Sequence, residues 1–214
     1  MGDHFQTIVD LDATAEDAPA LAERAVAWLV AEGIVRAEQT DCVLGKPLGH
    51  PPGPNWARTA APEDADRDPS DGLDVTTGRT VFFGGQGDAD WADCPSCGGR
   101  TLFGPGDADR YDPLDDDPLD DDTPPGEGGE PLDEEWESFS RAMDAWSATG
   151  EASVECRHCG VDVPITDWTW PHDSYAFGYL GLEFWNWLEF RPEFVAELGR
   201  ELGGHRTVVV WGKF

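Results

Sequence analysis

Two stretches decide the fold of this 214-residue chain, Cys94-Pro95-Ser96-Cys97-Gly98 and Cys156-Arg157-His158-Cys159-Gly160. In each, a Cys-x-x-Cys turn points two thiolates at one centre, its backbone N–H groups can hydrogen-bond the sulfurs, and the glycine permits a positive φ. Four thiolates complete a tetrahedral site with no open position, which is typical of structural zinc. The pattern therefore predicts a zinc ribbon with one structural Zn²⁺ per chain, held by Cys94, Cys97, Cys156 and Cys159.

The spacing of the two pairs departs from the usual pattern. About 15–20 residues normally separate such pairs, whereas 58 residues lie between Cys97 and Cys156. Two independent thiol pairs or redox centres are the alternative. We expect His158 to be an exposed residue of its turn rather than a ligand, and the fifth cysteine, Cys42, to be a buried thiol without a role.

An acidic insertion accounts for much of that spacing. The chain has 44 Asp and Glu against 14 Lys and Arg, a formal charge of −30, which argues against nucleic acid or an anionic membrane as the main partner. Residues 105–131 are rich in Asp, Pro and Gly and nearly free of apolar side chains, so we expect them to be a disordered, solvated insertion. A role as a mimic of nucleic acid stays open.

Hydrophobic periodicity predicts an α+β domain over residues 1–214. The ribbon halves are expected at 76–104 and 152–166, beside a small mixed sheet that is covered on one face by helices. The predicted strands are His4–Leu11, Ile34–Leu44, Thr80–Phe83 and His205–Phe214, the last inside the sheet because of its Val208–Trp211 run. Four helices are predicted. The first begins after a Thr14 cap and ends at Gly33, the second spans Leu132–Gly150, the third spans Tyr175–Phe190, and the fourth starts at Pro192.

An excess of aromatic residues follows the second cysteine pair. Trp and Tyr are enriched at binding hot spots, so we interpret Trp168, Trp170, Trp185 and Trp187 as a partner-binding surface, with core packing as the alternative. The favoured function is a zinc-stabilised, non-enzymatic binding or adaptor protein that recognises another protein. An enzyme is the alternative, either hydrolase-like around His172 and Asp173 or a thiol-redox enzyme. The oligomeric state is left open.

Neither a secretory signal nor an apolar run of about 18 residues is found, so we expect a cytoplasmic protein without a membrane partner.

Several segments together resemble a family of uncharacterised bacterial proteins, mainly actinobacterial: Thr77–Phe82, Cys94–Gly98, Asp167-Trp168, Phe184–Trp187 and Thr207–Val210. Members are sometimes labelled sugar-transporter ATPases. This chain does not support that label, because it lacks the Gly-x-x-x-x-Gly-Lys-Ser/Thr loop that cradles phosphates. The resemblance implies a bacterial, cytoplasmic zinc-ribbon protein and implies no activity.

Overall fold

The chain folds into two compact units. The computed structural model describes residues 2–61, 67–85, 89–103 and 134–213. One unit comprises Met1–Gly87 with Trp170–Phe214, and the other is Asp88–Thr169, which interrupts the first along the chain. The predicted α+β class is confirmed. The predicted disordered insertion, 105–131, lies outside the described residues.

The strands and helices are numbered in chain order. They are β1 (His4–Asp10), α1 (Ala18–Ala31), β2 (Leu73–Phe83), β3 (Trp91–Asp93), β4 (Arg100–Leu102), α2 (Glu134–Thr149), β5 (Ser153–Glu155), β6 (Asp162–Pro164), β7 (Tyr175–Trp185), α3 (Pro192–Glu201) and β8 (Thr207–Lys213).

The first unit is built on a four-stranded sheet with the order β2-β7-β1-β8. All three pairings are antiparallel, where a mixed sheet was expected. Ile8 of β1 and Leu182 of β7 pack with Leu21 of α1 and Phe194 of α3 in one core. The two helices therefore cover one face of the sheet, as predicted. Val9 packs on the opposite face with Phe82 and Val210.

The prediction of a helix over Tyr175–Phe190 was wrong, because Tyr175–Trp185 is strand β7. β7 lies between β2 and β1, so both of its edges are hydrogen-bonded. Leu182 packs on one face of the sheet and Ala176 on the other, so the strand is apolar on both faces except at Glu183. Such a run does not show the alternation that identifies a half-buried strand. One of its two glycines, Gly181, sits where no side chain fits, since a Cβ there would lie 2.3 Å from the Phe82 ring.

Strand β8 was predicted correctly as a strand but wrongly as an interior one, because it forms an edge of the sheet. Val210 packs on one face and Val209 against the helical core on the other. Coverage of both faces, rather than a neighbour on both sides, explains its apolar sequence. The Lys213 N–H donates to the carbonyl oxygen of Gly84 (3.1 Å), which covers one end of the edge.

The predicted strand over Ile34–Leu44 is absent from this part of the structure, which has only isolated bridges, Val35 with Pro52 and Thr40 with Gly49. Both positions beside β1 are already taken by β7 and β8. Residues 36–42 are polar or small and mostly exposed, so they have no apolar face to bury in a sheet.

The remaining periodic elements are confirmed, with shifted ends. Thr14 and Asp17 exchange hydrogen bonds between side chain and backbone N–H immediately before α1, which is the reciprocal arrangement of a capping box. The stripe predicted for α2 is buried at Trp136, Phe139 and Met143. β2 begins at Leu73 and not at Thr80. A register shift between Thr77 and Thr80 interrupts the alternation of the strand, so its first half could not be recognised from the pattern.

Candidate metal centre

Two short hairpins carry the cysteine turns of the second unit, β3–β4 the first and β5–β6 the second. In the first turn the Cys94 N–H donates to the Gly99 carbonyl (3.0 Å), and the Gly98 N–H donates to the Cys94 carbonyl (2.8 Å). These two bonds close the chain around the sulfurs. Gly98 has φ of +68°, which favours glycine at that position.

The second turn repeats this geometry. The Cys156 N–H donates to the Val161 carbonyl (2.9 Å), and the Gly160 N–H donates to the Cys156 carbonyl (2.8 Å). Gly160 also has φ of +68°. The two Cys-x-x-Cys-Gly motifs therefore form the same local structure, as their matching sequences predict.

The expected ribbon halves need one correction. The predicted half 76–104 includes Val81 to Phe83, but these residues belong to β2 in the sheet of the first unit. The strand that enters the turn is β3, Trp91–Asp93. Residues 76–83 of the predicted half 76–104 are therefore not part of the ribbon.

The four predicted ligands come together in one cluster. The Sγ atoms of Cys94, Cys97, Cys156 and Cys159 all lie within 4.8 Å of one another, and those of Cys97 and Cys156 are 3.8 Å apart. Cys94 and Cys156 are buried, whereas Cys97 and Cys159 are exposed. The cysteines form one group that could hold a metal ion, rather than two separate pairs.

The close approach of these thiols gives them different pKa values. Burial opposes ionisation of Cys94, but hydrogen bonds from the backbone N–H groups of Cys97 and Ser96 and from the Cys156 and Cys97 thiols outweigh it and lower the pKa of Cys94 to about 7. The Gly99 N–H lowers the pKa of Cys97, yet burial and the neighbouring thiols outweigh it and raise that pKa to about 12. The four thiols do not all ionise together unless a cation lies between them to offset the repulsion of the thiolates.

His158 joins the two turns. Its Nε2–H donates to the carbonyl oxygen of Arg100 (2.8 Å). Its ring packs against Gly99 so closely that a Cβ on Gly99 would lie 2.6 Å from two ring atoms. It offers no ligand atom to the cluster. The sequence predicted only an exposed residue here, although the second glycine of Gly98-Gly99 is a signal for close approach of another group.

Arg100 stiffens the first hairpin. Its guanidinium makes two hydrogen bonds to the Asp93 carboxylate, at 2.8 and 2.9 Å, and stacks 3.6 Å above the Trp91 ring. Both contacts join β3 to β4 across the turn. These contacts therefore stabilise the hairpin that carries Cys94 and Cys97.

An aromatic core supports the ribbon from α2. Phe139 lies edge-on to Phe103 (4.9 Å between ring centroids) and to Trp168 (4.7 Å). The Arg157 guanidinium of the second turn pairs with Glu135 in the first turn of the helix (2.8 Å). Trp168 is only 4% exposed, so it is a core residue of this unit.

The predicted partner-binding surface is corrected by these positions. Trp170, Trp185 and Trp187 are also buried, with Trp187 fully inaccessible. The Trp187 indole N–H donates to the carbonyl of Asp71 (2.9 Å), and Trp185 packs with Phe5. Core packing, the alternative stated from the sequence, accounts for all four tryptophans.

The residues of the predicted hydrolase-like site lie elsewhere. His172 and Asp173 form part of a short 3-10 segment in the first unit, and both are exposed. Both have positive φ, 51° and 53°. Neither belongs to the cysteine cluster.

No family model, curated protein or solved structure matches the chain. The resemblance to the actinobacterial zinc-ribbon family stays a prediction. Among the helices that the structure describes, none has the length and apolar character needed to cross a bilayer.

Proposed function

We propose that this chain is a zinc-stabilised, non-enzymatic protein-binding module. The observation that carries the proposal is the cluster of four sulfur atoms on two matching turns. Cys94, Cys97, Cys156 and Cys159 would hold one Zn²⁺, which would fix the two hairpins to each other.

The donor set fits zinc. Zn–S bonds of about 2.3 Å in a tetrahedron place the sulfurs about 3.8 Å apart, and the Cys97 and Cys156 sulfurs are separated by 3.8 Å. A divalent cation also offsets half of the charge of four thiolates, so that all four thiols can ionise together. Thiolate ligands favour zinc over hard cations such as Mg²⁺ or Ca²⁺.

Four protein ligands leave zinc no position for water or substrate, so the ion would stabilise the fold rather than activate a reactant. The hairpin strands of the ribbon have three residues each, too few to be stable alone. Zinc binding is worth about 10–16 kcal/mol in small zinc peptides. A contribution of that kind would hold the ribbon folded.

Exposed apolar side chains support a binding role. Six large hydrophobic residues in the described parts of the chain are 42–54% exposed: Leu44, Leu48, Phe83, Leu102, Val161 and Trp211. Leu102 and Val161 flank the two cysteine turns. A contiguous apolar patch would mark an interaction site, and these six side chains are the exposed apolar groups from which such a patch could be built.

The metal half of the proposal is tested by inductively coupled plasma mass spectrometry of protein purified under reducing conditions. We expect one zinc per chain in the wild type and none in Cys156→Ser, which should also unfold at a lower temperature. Cys42→Ser is the matched control, because Cys42 lies outside the cluster. Wild-type protein without metal would overturn the zinc site and would favour a thiol-redox enzyme instead.

The binding half is tested by selection of a displayed peptide library against the zinc-loaded protein. We expect reproducible enrichment of peptides that bind the wild type. Failure of any peptide to enrich over an empty support would contradict a protein-binding function, whatever the metal content.

A further inference from the structure

A groove in the first unit lies between α1 and the segment that leads into β2. It is a cavity of about 530 Å³, here called the α1 groove. Its walls are mainly apolar and include Val26, Val30, Leu48 and Val75. Leu48 is 52% exposed, so an apolar wall of the groove faces solvent. A cavity of this size with few polar groups is typical of a binding site.

The groove offers hydrogen-bond acceptors. His50 Nδ1 lies 2.9 Å from the Arg36 carbonyl oxygen, which can only accept, so Nδ1 carries the hydrogen. His50 Nε2 then accepts from Gln39 Nε2 (3.1 Å), and this places the Gln39 amide oxygen as an acceptor. Glu23 makes no ion pair with any residue that the structure describes.

Another carboxylate of the lining, Asp74, is already neutralised. Its Oδ2 lies 2.8 Å from Lys46 Nζ. Glu23 is therefore the acidic group of the lining that is left to receive an external cation. An apolar body with a cationic or donating end would match both the walls and the acceptors of the groove.

We propose that the α1 groove binds a lysine or arginine side chain from a basic segment of a protein partner. The aliphatic stem of such a side chain would lie along Val26, Val30 and Leu48, and its charged end would reach Glu23 and Gln39. The formal charge of −30 would steer basic segments toward the protein. This assignment rests on the proposed protein-binding function but not on the zinc site.

The charge of the groove decides among occupants. An anionic ligand would be repelled by the Glu23 carboxylate. A second copy of this chain would bring a second strongly acidic surface to the first. A neutral apolar ligand would gain nothing from Glu23.

Fluorescence anisotropy at low salt tests the proposal with a labelled nonapeptide, Gly-Ser-Lys-Ser-Lys-Ser-Lys-Ser-Gly. Two analogues separate its contributions, with lysine replaced by diaminobutyric acid, which keeps the charge on a shorter stem, or by norleucine, which keeps the stem without charge. We expect the lysine peptide to bind more tightly than either analogue.

Protein variants locate the site. Ala27→Trp places an indole in the groove from an exposed lining position and should abolish binding of the lysine peptide. Glu23→Gln should weaken it by about fivefold. Glu16→Gln and Ala20→Trp make the same changes at exposed positions outside the groove and should bind like the wild type. Circular dichroism melts confirm that each variant is folded.

Three results would overturn the proposal. The wild type could fail to bind the lysine peptide, Ala27→Trp could bind as well as Ala20→Trp, or the norleucine peptide could bind as tightly as the lysine peptide with no effect of Glu23→Gln. Each is distinct from failure of the proposed function. If peptides selected by display bind the Ala27→Trp variant as tightly as the wild type, the proposed protein-binding function stands, but the α1 groove is not the binding site.

Discussion

The ring of His158 occupies the space beside Gly99 in which a β-carbon would lie, 2.6 Å from two of its ring atoms. The same ring donates a hydrogen bond to the next carbonyl, that of Arg100 (2.8 Å). One cysteine turn thus touches the other through a residue that is not a ligand. The relative position of the four sulfurs depends on this contact as well as on any bound ion.

We expect Gly99→Ala to destabilise the zinc-loaded protein by about 1–3 kcal/mol, because the new methyl group forces the His158 ring out of place. His158→Ala should cost about 1 kcal/mol for the lost hydrogen bond. The two changes should add up only in part, because removal of the ring relieves the two contacts at 2.6 Å but leaves the His158 Cβ 2.9 Å from the new methyl group. Urea unfolding and the rate of zinc release to a chelator measure each variant. Additive effects in the double variant would contradict the contact.

The cysteine cluster could be predicted from sequence because metal chemistry fixes both the residue type and the spacing within each cysteine pair. Cys-x-x-Cys-Gly specifies a turn and two ligands whatever surrounds them. The role of His158 could not be predicted, because it arises only when the second turn meets Gly99. The α1 groove is a similar case, since Glu23 and Gln39 belong to separate segments that only the tertiary fold brings together.

The contrast between α2 and β7 shows why one element could be predicted from the sequence and the other could not. α2 shows a clear stripe, with Trp136 and Phe139 buried and Glu137 exposed. β7 shows no alternation, so its apolar run is compatible with a buried helix as well as a buried strand. Gly178 and Gly181 were the missed signal, because glycines in a strand mark close approach of neighbours.

The glycines of β7 and α3 give a matched pair of predictions. Gly181→Ala would bring a Cβ to 2.3 Å from the Phe82 ring, whereas Gly199→Ala meets nothing nearer than 3.6 Å. We expect the first to destabilise the protein by about 1–3 kcal/mol, and the second to stabilise it by up to about 1 kcal/mol through helix propensity. Thermal unfolding distinguishes them. Equal effects would show that steric contact does not govern Gly181.

The burial of the tryptophans changes what their substitution should do. Trp187 is fully buried and its indole lies 5.0 Å from the Phe184 ring, whereas Trp211 is 42% exposed. We expect Trp187→Ala to lower the free energy of unfolding by about 3–5 kcal/mol, and Trp211→Ala to change it by less than about 1 kcal/mol. Circular dichroism in urea provides the measurement. A stable Trp187→Ala protein that had lost only partner binding would restore the surface predicted from the sequence.

Glu183 should make stability depend on pH. Its carboxylate lies on β7 between Thr7 of β1 and Asp74 of β2, where it accepts from the Trp185 indole N–H (2.7 Å) and from Thr7 Oγ1 (3.4 Å). Burial raises the pKa of Glu183, and the neighbouring Asp74 carboxylate adds to this, against the opposing effects of the Trp185 N–H and Lys46. The folded protein therefore holds this proton more tightly than the unfolded chain.

A raised pKa of this kind stabilises the fold at low pH, below the ordinary glutamate value of about 4.3, and the stabilisation is lost as pH rises through the folded pKa. Glu183→Gln keeps an uncharged acceptor for Trp185 and removes the titration. We expect the stability of the wild type relative to Glu183→Gln to fall as pH rises from about 4 toward neutrality, and the variant to be the more stable at pH 7. Urea unfolding of both proteins at matched pH values provides the measurement. A difference that stayed constant or grew with pH would contradict a buried, proton-holding Glu183.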